Sequence, residues 1–217
     1  MRIMTHKTAI ALAGILTGGF AASASAGFDS LIQQGLEAAT KSVAPAAPAP
    51  QNAASPGQAA PSGAPTTYTH AARRFSYTIP GGWQLVNGDP AGESASFMLP
   101  GTTIGFNMHM TQMVPSFPAK ASVDASLKQS KEEVTIAKLL TAKRRDDWDK
   151  KKKCGLIGWE IVESGKGSDT EHQRIIWQGY DADNYYFNFM TFSHPREFAQ
   201  NQALLQGVLD SIRFCKN

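Results

Sequence analysis

Three groups of residues carry chemistry worth weighing: a pair of cysteines, a dense run of cations, and a strand of methionines around a histidine. Cys154 and Cys215 are the only cysteines in the 217-residue chain. An even count in an exported chain favours a disulfide. The closed loop of about 60 residues would stabilise the fold by roughly 4 kcal/mol at most on chain-entropy arithmetic. The bridge would clip the tail after Phe214 to the strand beginning near Cys154. Lys150 to Lys153 could lower the Cys154 pKa, but no CxxC spacing joins the two thiols, so a structural bridge is expected rather than a redox pair.

The cations are Lys143, Arg144, Arg145, Lys150, Lys151, Lys152 and Lys153, seven within eleven residues, diluted by Asp146, Asp147 and Asp149. Such runs are ordinarily solvated surface. The functional reading is a docking patch for an acidic partner, an anionic lipid surface or a cell-wall polymer. Met108, His109, Met110 and Met113, with Met98 nearby, suggest copper, because thioethers and imidazole suit Cu(I). Strand alternation opposes that reading: Met108 and Met110 share a face with Phe106 while His109 points the other way, which predicts a methionine-lined core. His109, His172 and His194 are scattered, and no HExxH, GxSxG, Walker-type loop or dinucleotide fingerprint occurs. Asp181 and Asp183 flank a turn, where Asp is expected for its backbone bonding rather than for calcium. No catalytic residue, metal or cofactor is therefore assigned, and a non-enzyme is expected.

These residues need elements to hold them, and the chain's texture divides it into four parts. Residues 1–26 have the layout of a secretory signal: Arg2 and Lys7, an apolar run from Thr8 to Phe20 broken by Gly14, Gly18 and Gly19, then small residues at Ala24 and Ala26. The run is shorter than the roughly 20 residues that span a bilayer, so cleavage after Ala26 and a periplasmic destination are expected, with no transmembrane segment in the mature chain. Losing the leader removes two cations and no anions, leaving 19 Lys plus Arg against 18 Asp plus Glu. That near-neutral balance argues against nucleic acid as a partner.

Residues 27–42 read as a short amphipathic helix, with Phe28, Leu31, Ile32, Leu36, Ala39 and Val43 at helical spacing. Residues 43–72 read as a disordered linker. Six Pro and nine Ala fall between Val43 and Thr67, and no charge occurs from Ser42 to Ala72. Its reach would lie between about 30 Å as a coil and about 75 Å as polyproline.

The globular part is expected at 73–217. Phe75, Tyr77 and Ile79 alternate with polar residues up to Pro80-Gly81-Gly82, with Trp83 covering the sheet end. Ser94–Leu99 and Thr102–Gln112 read as a hairpin around Pro100-Gly101. Residues 122 to about 141 read as a helix that could run on to Trp148, or as a helix followed by a strand through Val134 to Leu140; periodicity leaves both open. Strands are expected at Cys154–Glu163, Gln173–Tyr180 and Tyr185–Phe192. The closing helix has Pro195 in its first turn and Phe198, Leu204, Leu205, Val208, Leu209 and Ile212 as its apolar stripe. Hairpins outnumber crossovers, which predicts an α+β fold: a mostly antiparallel sheet with helices packed on it.

Phe75-Ser76-Tyr77-Thr78-Ile79-Pro80-Gly81-Gly82-Trp83 resembles the opening of the PsbP-like and DcrB-like families, a strand running into a Pro-Gly-Trp corner. The ending is similar too, with Tyr185-Tyr186-Phe187-Asn188-Phe189 as a strand and a helix closing on Asp210-Ser211-Ile212-Arg213-Phe214. The resemblance spans roughly residues 73 to 214. It implies an α-β-α sandwich and a non-enzymatic role in exported assemblies or as a chaperone-like adaptor, and its motif carries no catalytic residue to transfer.

The expected function is an exported binding or accessory protein of a bacterial envelope or secretion-related complex, with an adaptor, chaperone-like or immunity role and a protein partner in the cell envelope. The alternative is a periplasmic small-molecule or copper carrier. A cell-wall hydrolase is a third class.

Overall fold

A computed structural model describes residues 63–72, 75–132 and 137–215. The expected leader (1–26), the expected N-terminal helix (27–42) and residues 43–62 of the expected linker lie outside the described residues. The described chain forms strands β1 (Thr66–His70), β2 (Phe75–Ile79), β3 (Gln84–Gly88), β4 (Ser94–Met98), β5 (Gly105–Gln112), β6 (Ala137–Arg144), β7 (Asp147–Asp149), β8 (Cys154–Gly165), β9 (Gln173–Tyr180) and β10 (Tyr185–Ser193). Two α-helices join them, α1 (Ala119–Lys131) and α2 (Pro195–Asp210).

One antiparallel sheet runs in the order β3-β4-β5-β10-β9-β8-β6, with β7 also paired to β8, and β1 and β2 form a separate hairpin. The alternation that predicted the strands sorts their side chains onto two faces. On one face Phe97, Phe106, Met108, Met110, Phe187, Phe189, Ile175 and Trp177 are buried in a single cluster with Phe198, Leu205, Val208 and Leu209 of α2 and Phe75, Tyr77 and Ile79 of β2. On the other face Ile161, Met190 and Phe192 are buried, as are Ala119, Val123 and Leu127 of α1. The sheet thus lies between the two helices, as the expected α-β-α sandwich requires.

The ends of α2 follow from local chemistry. Pro195 occupies the first turn, where its missing N–H costs nothing, and the His194 ring nitrogen Nδ1 accepts from the Arg196 N–H at 3.2 Å. Past α2, the chain pairs back onto β2 through Ser76 N–H to the Arg213 carbonyl (2.9 Å) and Arg213 N–H to the Ser76 carbonyl (2.8 Å). That is why Ser76, on the polar side of the strand's alternation, is buried.

One boundary changes, one open choice closes and one strand is new. The folded region begins by Thr66, inside the stretch expected to be linker to residue 72. Thr66–His70 carries no charge, yet it pairs along β2 and sets the Tyr68 ring 5.7 Å from Tyr77 and 5.4 Å from Phe97. Between the two forms left open for residues 122–148, the structure takes a helix followed by a strand, and Trp148 lies in β7 rather than on a continued helix. The short β3 escapes sequence reading because Leu85 is an exposed position on an edge strand.

Candidate functional site

Register places several loops at one end of the sheet. Gln112 pairs with Tyr185, Tyr186 with Tyr180, and Tyr180 with Ile157, a row crossing β5, β10, β9 and β8. Beyond that row lie the loop from β5 to α1, the β9–β10 turn and the β7–β8 turn. The β3–β4 loop is at the same end, since Ser94 pairs with His109.

At this end the fold sorts the seven cations into three uses. Glu160, on β8, is 4% exposed and receives Lys143 Nζ at 2.8 Å, Arg145 at 2.6 Å and Gln206 Nε2 at 3.1 Å. Burial raises the Glu160 pKa, but hydrogen bonds from Lys143, Arg145 and Gln206 outweigh it and hold the carboxyl below its ordinary value. Arg145 also donates to the Leu209 carbonyl (3.0 Å), lies 3.0 Å from Asp210 and stacks 4.2 Å above the Trp177 ring. It is a strut between sheet and helix, with 18% of its side chain exposed. Arg144 pairs with Asp146 at 2.9 Å and lies 5.7 Å from the Trp159 ring.

Lys150, Lys151, Lys152 and Lys153 are all exposed on the β7–β8 turn. Asp149 Oδ1 accepts from the N–H groups of Lys151 (2.8 Å) and Lys152 (3.0 Å), which holds its carboxyl low and fixes the turn. Gly155 lets β7 close onto β8: its φ is +118°, and a Cβ there would run into the Asp147 carbonyl. Cys154 and Cys215 are joined in a disulfide, Cα atoms 5.7 Å apart, as the cysteine count predicts. The bridge holds the tail so that the Phe214 ring lies 5.5 Å from Phe75 and from Phe187.

The same end carries a feature absent from the sequence reading. Val114-Pro115-Ser116-Phe117-Pro118 is exposed throughout, with Val114 at 60% and Phe117 at 46%. One side chain braces both ends of this loop. Asn184 Nδ2 donates to the Met113 carbonyl at 2.7 Å, and Asn184 Oδ1 accepts from the Ala119 N–H at 2.7 Å. Two backbone bonds add to it, Met113 N–H to the Asn184 carbonyl and Phe117 N–H to the Val114 carbonyl, both 2.9 Å. Asn184 can serve because it sits at φ 63°, in a turn where Asp181 Oδ1 accepts from the N–H groups of Asp183 (2.9 Å) and Tyr185 (3.0 Å). Asp181 thus does the turn work read from the pair's spacing, with Asp183 contributing its backbone N–H.

The opposite end holds charges inward. His172 Nδ1 lies 2.7 Å from Asp169, and Arg174 bridges Asp169 and Glu163, the latter at 3.1 Å. His172, Arg174 and Glu163 are buried, and burial pushes the His172 ring below its ordinary pKa. The remaining candidate ligands are dispersed. Met108 and Met110 are core residues at 1% and 3% exposure, and His109 points to the other face, bonded to Thr111 Oγ1 at 2.7 Å. Among the described residues no group of three or more His, Cys, Asp or Glu could hold a metal ion, and no helix is long and apolar enough to cross a membrane.

No protein-family model matches the chain, and no curated protein matches it. Solved structures do. The solution structure of cyanobacterial PsbP (CyanoP) from Synechocystis sp. PCC 6803 superposes with a TM-score of 0.50 at 12% identity, covering 76% of this chain and 98% of that one. PA94 from Pseudomonas aeruginosa, a protein of unknown function, matches with a TM-score of 0.44 at 13% identity, covering 71% of this chain and 100% of its own. The fold is PsbP-like, as the Pro-Gly-Trp corner and the closing strand and helix suggested.

Proposed function

We propose that this chain is an exported, non-enzymatic accessory protein of the bacterial envelope that works as an adaptor, with its globular domain binding a protein partner. The observation that carries the reading is the division of labour within the basic run. Lys143 and Arg145 are committed to a buried carboxylate, whereas Lys150 to Lys153 stand exposed on a turn fixed by Asp149 and anchored by the disulfide. Cations carried on a turn whose backbone is already fixed meet an acidic surface without the added cost of ordering the turn, which favours a docking patch.

The disulfide suits a periplasmic destination, where such bonds persist. The Ala/Pro-rich stretch before Thr66 supports a tethered arrangement, in which a domain gains effective concentration near whatever the other end holds. An accessory role is also what the family resemblance implies.

Fractionation of the source bacterium tests export. The expected result is a periplasmic chain beginning at Gly27 with no free thiol; an intact leader in the cytosol would overturn it. Co-purification from the native envelope tests binding, with a partner retained by the natural chain and weakened by Lys150→Glu/Lys151→Glu.

A further inference from the structure

We propose that the Val114–Pro118 loop is the anchor of the partner interface, seating Phe117 in an apolar pocket of a partner protein whose carboxylates face the lysine turn. The inference rests on the reading of the chain as a binding protein and adds the surface and the partner's chemistry.

Four observations lead there. The loop is apolar at four of its five positions, yet its two large side chains face water although the adjoining strand and helix bury theirs. Exposed apolar groups clustered on one loop mark interaction sites more often than lone exposed ones do. Second, the loop is ordered before anything binds, because the Asn184 amide holds Met113 at one end and Ala119 at the other. An aromatic side chain carried on a backbone already braced avoids the cost of ordering the loop on docking, which favours it as an interface hot spot.

Third, the loop and the lysine turn fit within one interface. Strands β5 and β8 are separated by β10 and β9, so three interstrand spacings, about 14 Å, lie between them. A partner covering about 800 Å² would touch both. Fourth, the charges at this end have both signs. Asp89, Glu93 and Asp183 are exposed on the neighbouring loops, and Lys150 and Lys151 stand on the far side of Asp183. An anionic bilayer would be repelled by those carboxylates, whereas an apolar centre with a mixed polar rim is the make-up of a protein interface. The lysine side calls for acidic residues on the partner.

The test uses the tagged full-length chain in its source bacterium. The protein recovered with the natural chain is identified, purified and titrated against each variant. Phe117→Ser and Lys150→Glu/Lys151→Glu are each expected to weaken that binding by about tenfold or more, while Arg196→Glu, on the exposed start of α2 at the other end, leaves it unchanged. Unchanged circular dichroism and melting temperature establish that the variants fold. If the natural chain captures a partner and Phe117→Ser binds it equally well, the anchor assignment is wrong while the adaptor reading stands. If the natural chain captures nothing beyond an untagged control, the adaptor reading fails and takes the anchor with it. Two further arms address other occupants. Phe117-dependent flotation with phosphatidylglycerol vesicles would assign the loop to lipid, and Phe117-dependent dimerisation in sedimentation velocity would assign it to a second copy; either overturns the proposal.

Discussion

The two ends of the sheet treat polar and apolar groups in opposite ways. At the β8–β9 end, Arg174, Glu163, Asp169 and His172 are drawn inward and satisfy one another. At the other end lysines stand in solvent on a fixed turn, and Val114 and Phe117 project from a braced loop. A fold selected only for stability would bury the aromatic ring and solvate the charges. The β8–β9 end departs from that expectation by burying charges, and the other end by exposing Val114 and Phe117, the surface proposed to meet a partner.

If that division is right, the most damaging substitutions lie at the inward-facing end. Arg174→Ala strands Glu163 and Asp169 without their cation, and breaking a buried pair typically costs about 3–5 kcal/mol. Urea unfolding should show a loss of that order, and a loss under about 1 kcal/mol would break the comparison. Next comes the disulfide. Cys215→Ser frees the Phe214 tail from the aromatic cluster and should cost about 2–4 kcal/mol by the same measurement.

Asn184→Ala leaves the Met113 carbonyl and the Ala119 N–H without their partner, for a loss of about 1–3 kcal/mol. It should also speed hydrogen exchange at Phe117, which bonds across the loop to Val114. Phe117→Ser should shift stability by about 0.5 kcal/mol or less, because the ring is already half in water. A large loss there would mean that the ring is structural and the loop is not an interaction surface.

Acid should act through the inward groups. His172 and His109 are held below their ordinary pKa by burial, and Glu160 is held low by its cationic partners despite its own burial. In each case the unfolded chain takes up a proton more readily than the folded one. The histidine contribution is therefore present above about pH 6.5 and lost as pH falls through the depressed folded values; the Glu160 contribution is present above about pH 4.3 and lost below it. The urea midpoint should be flat between pH 7 and 8 and fall on acidification. A rise on acidification would contradict the sign.

Much of the architecture was legible because it depends on local period. Phe187 and Phe189 alternate with Tyr186 and Asn188, Pro195 opens a helix with an apolar stripe, and the cysteine pair had one partner each. The two forms left open after residue 122 could not be separated by period, since Ala137 to Leu140 fits either an apolar helix face or an edge strand. The linker's end was misplaced because an uncharged stretch says nothing about whether β2 will pair with it. Arg145 read as one cation among seven; its role depends on Glu160, Trp177 and Asp210, brought together only by the sheet and α2. The Val114–Phe117 loop was invisible for a similar reason. Val and Phe each followed by a proline carry no signal of exposure, and the residue that braces the loop, Asn184, is 65 positions from Ala119.

Amide hydrogen exchange of the full chain, alone and with the partner recovered from the envelope, tests the division of the two ends most directly. The account predicts slowed exchange on binding at 113–119 and 150–155, with 165–173 unchanged. Slowed exchange confined to 165–173 would place the interface at the inward-facing end and contradict it.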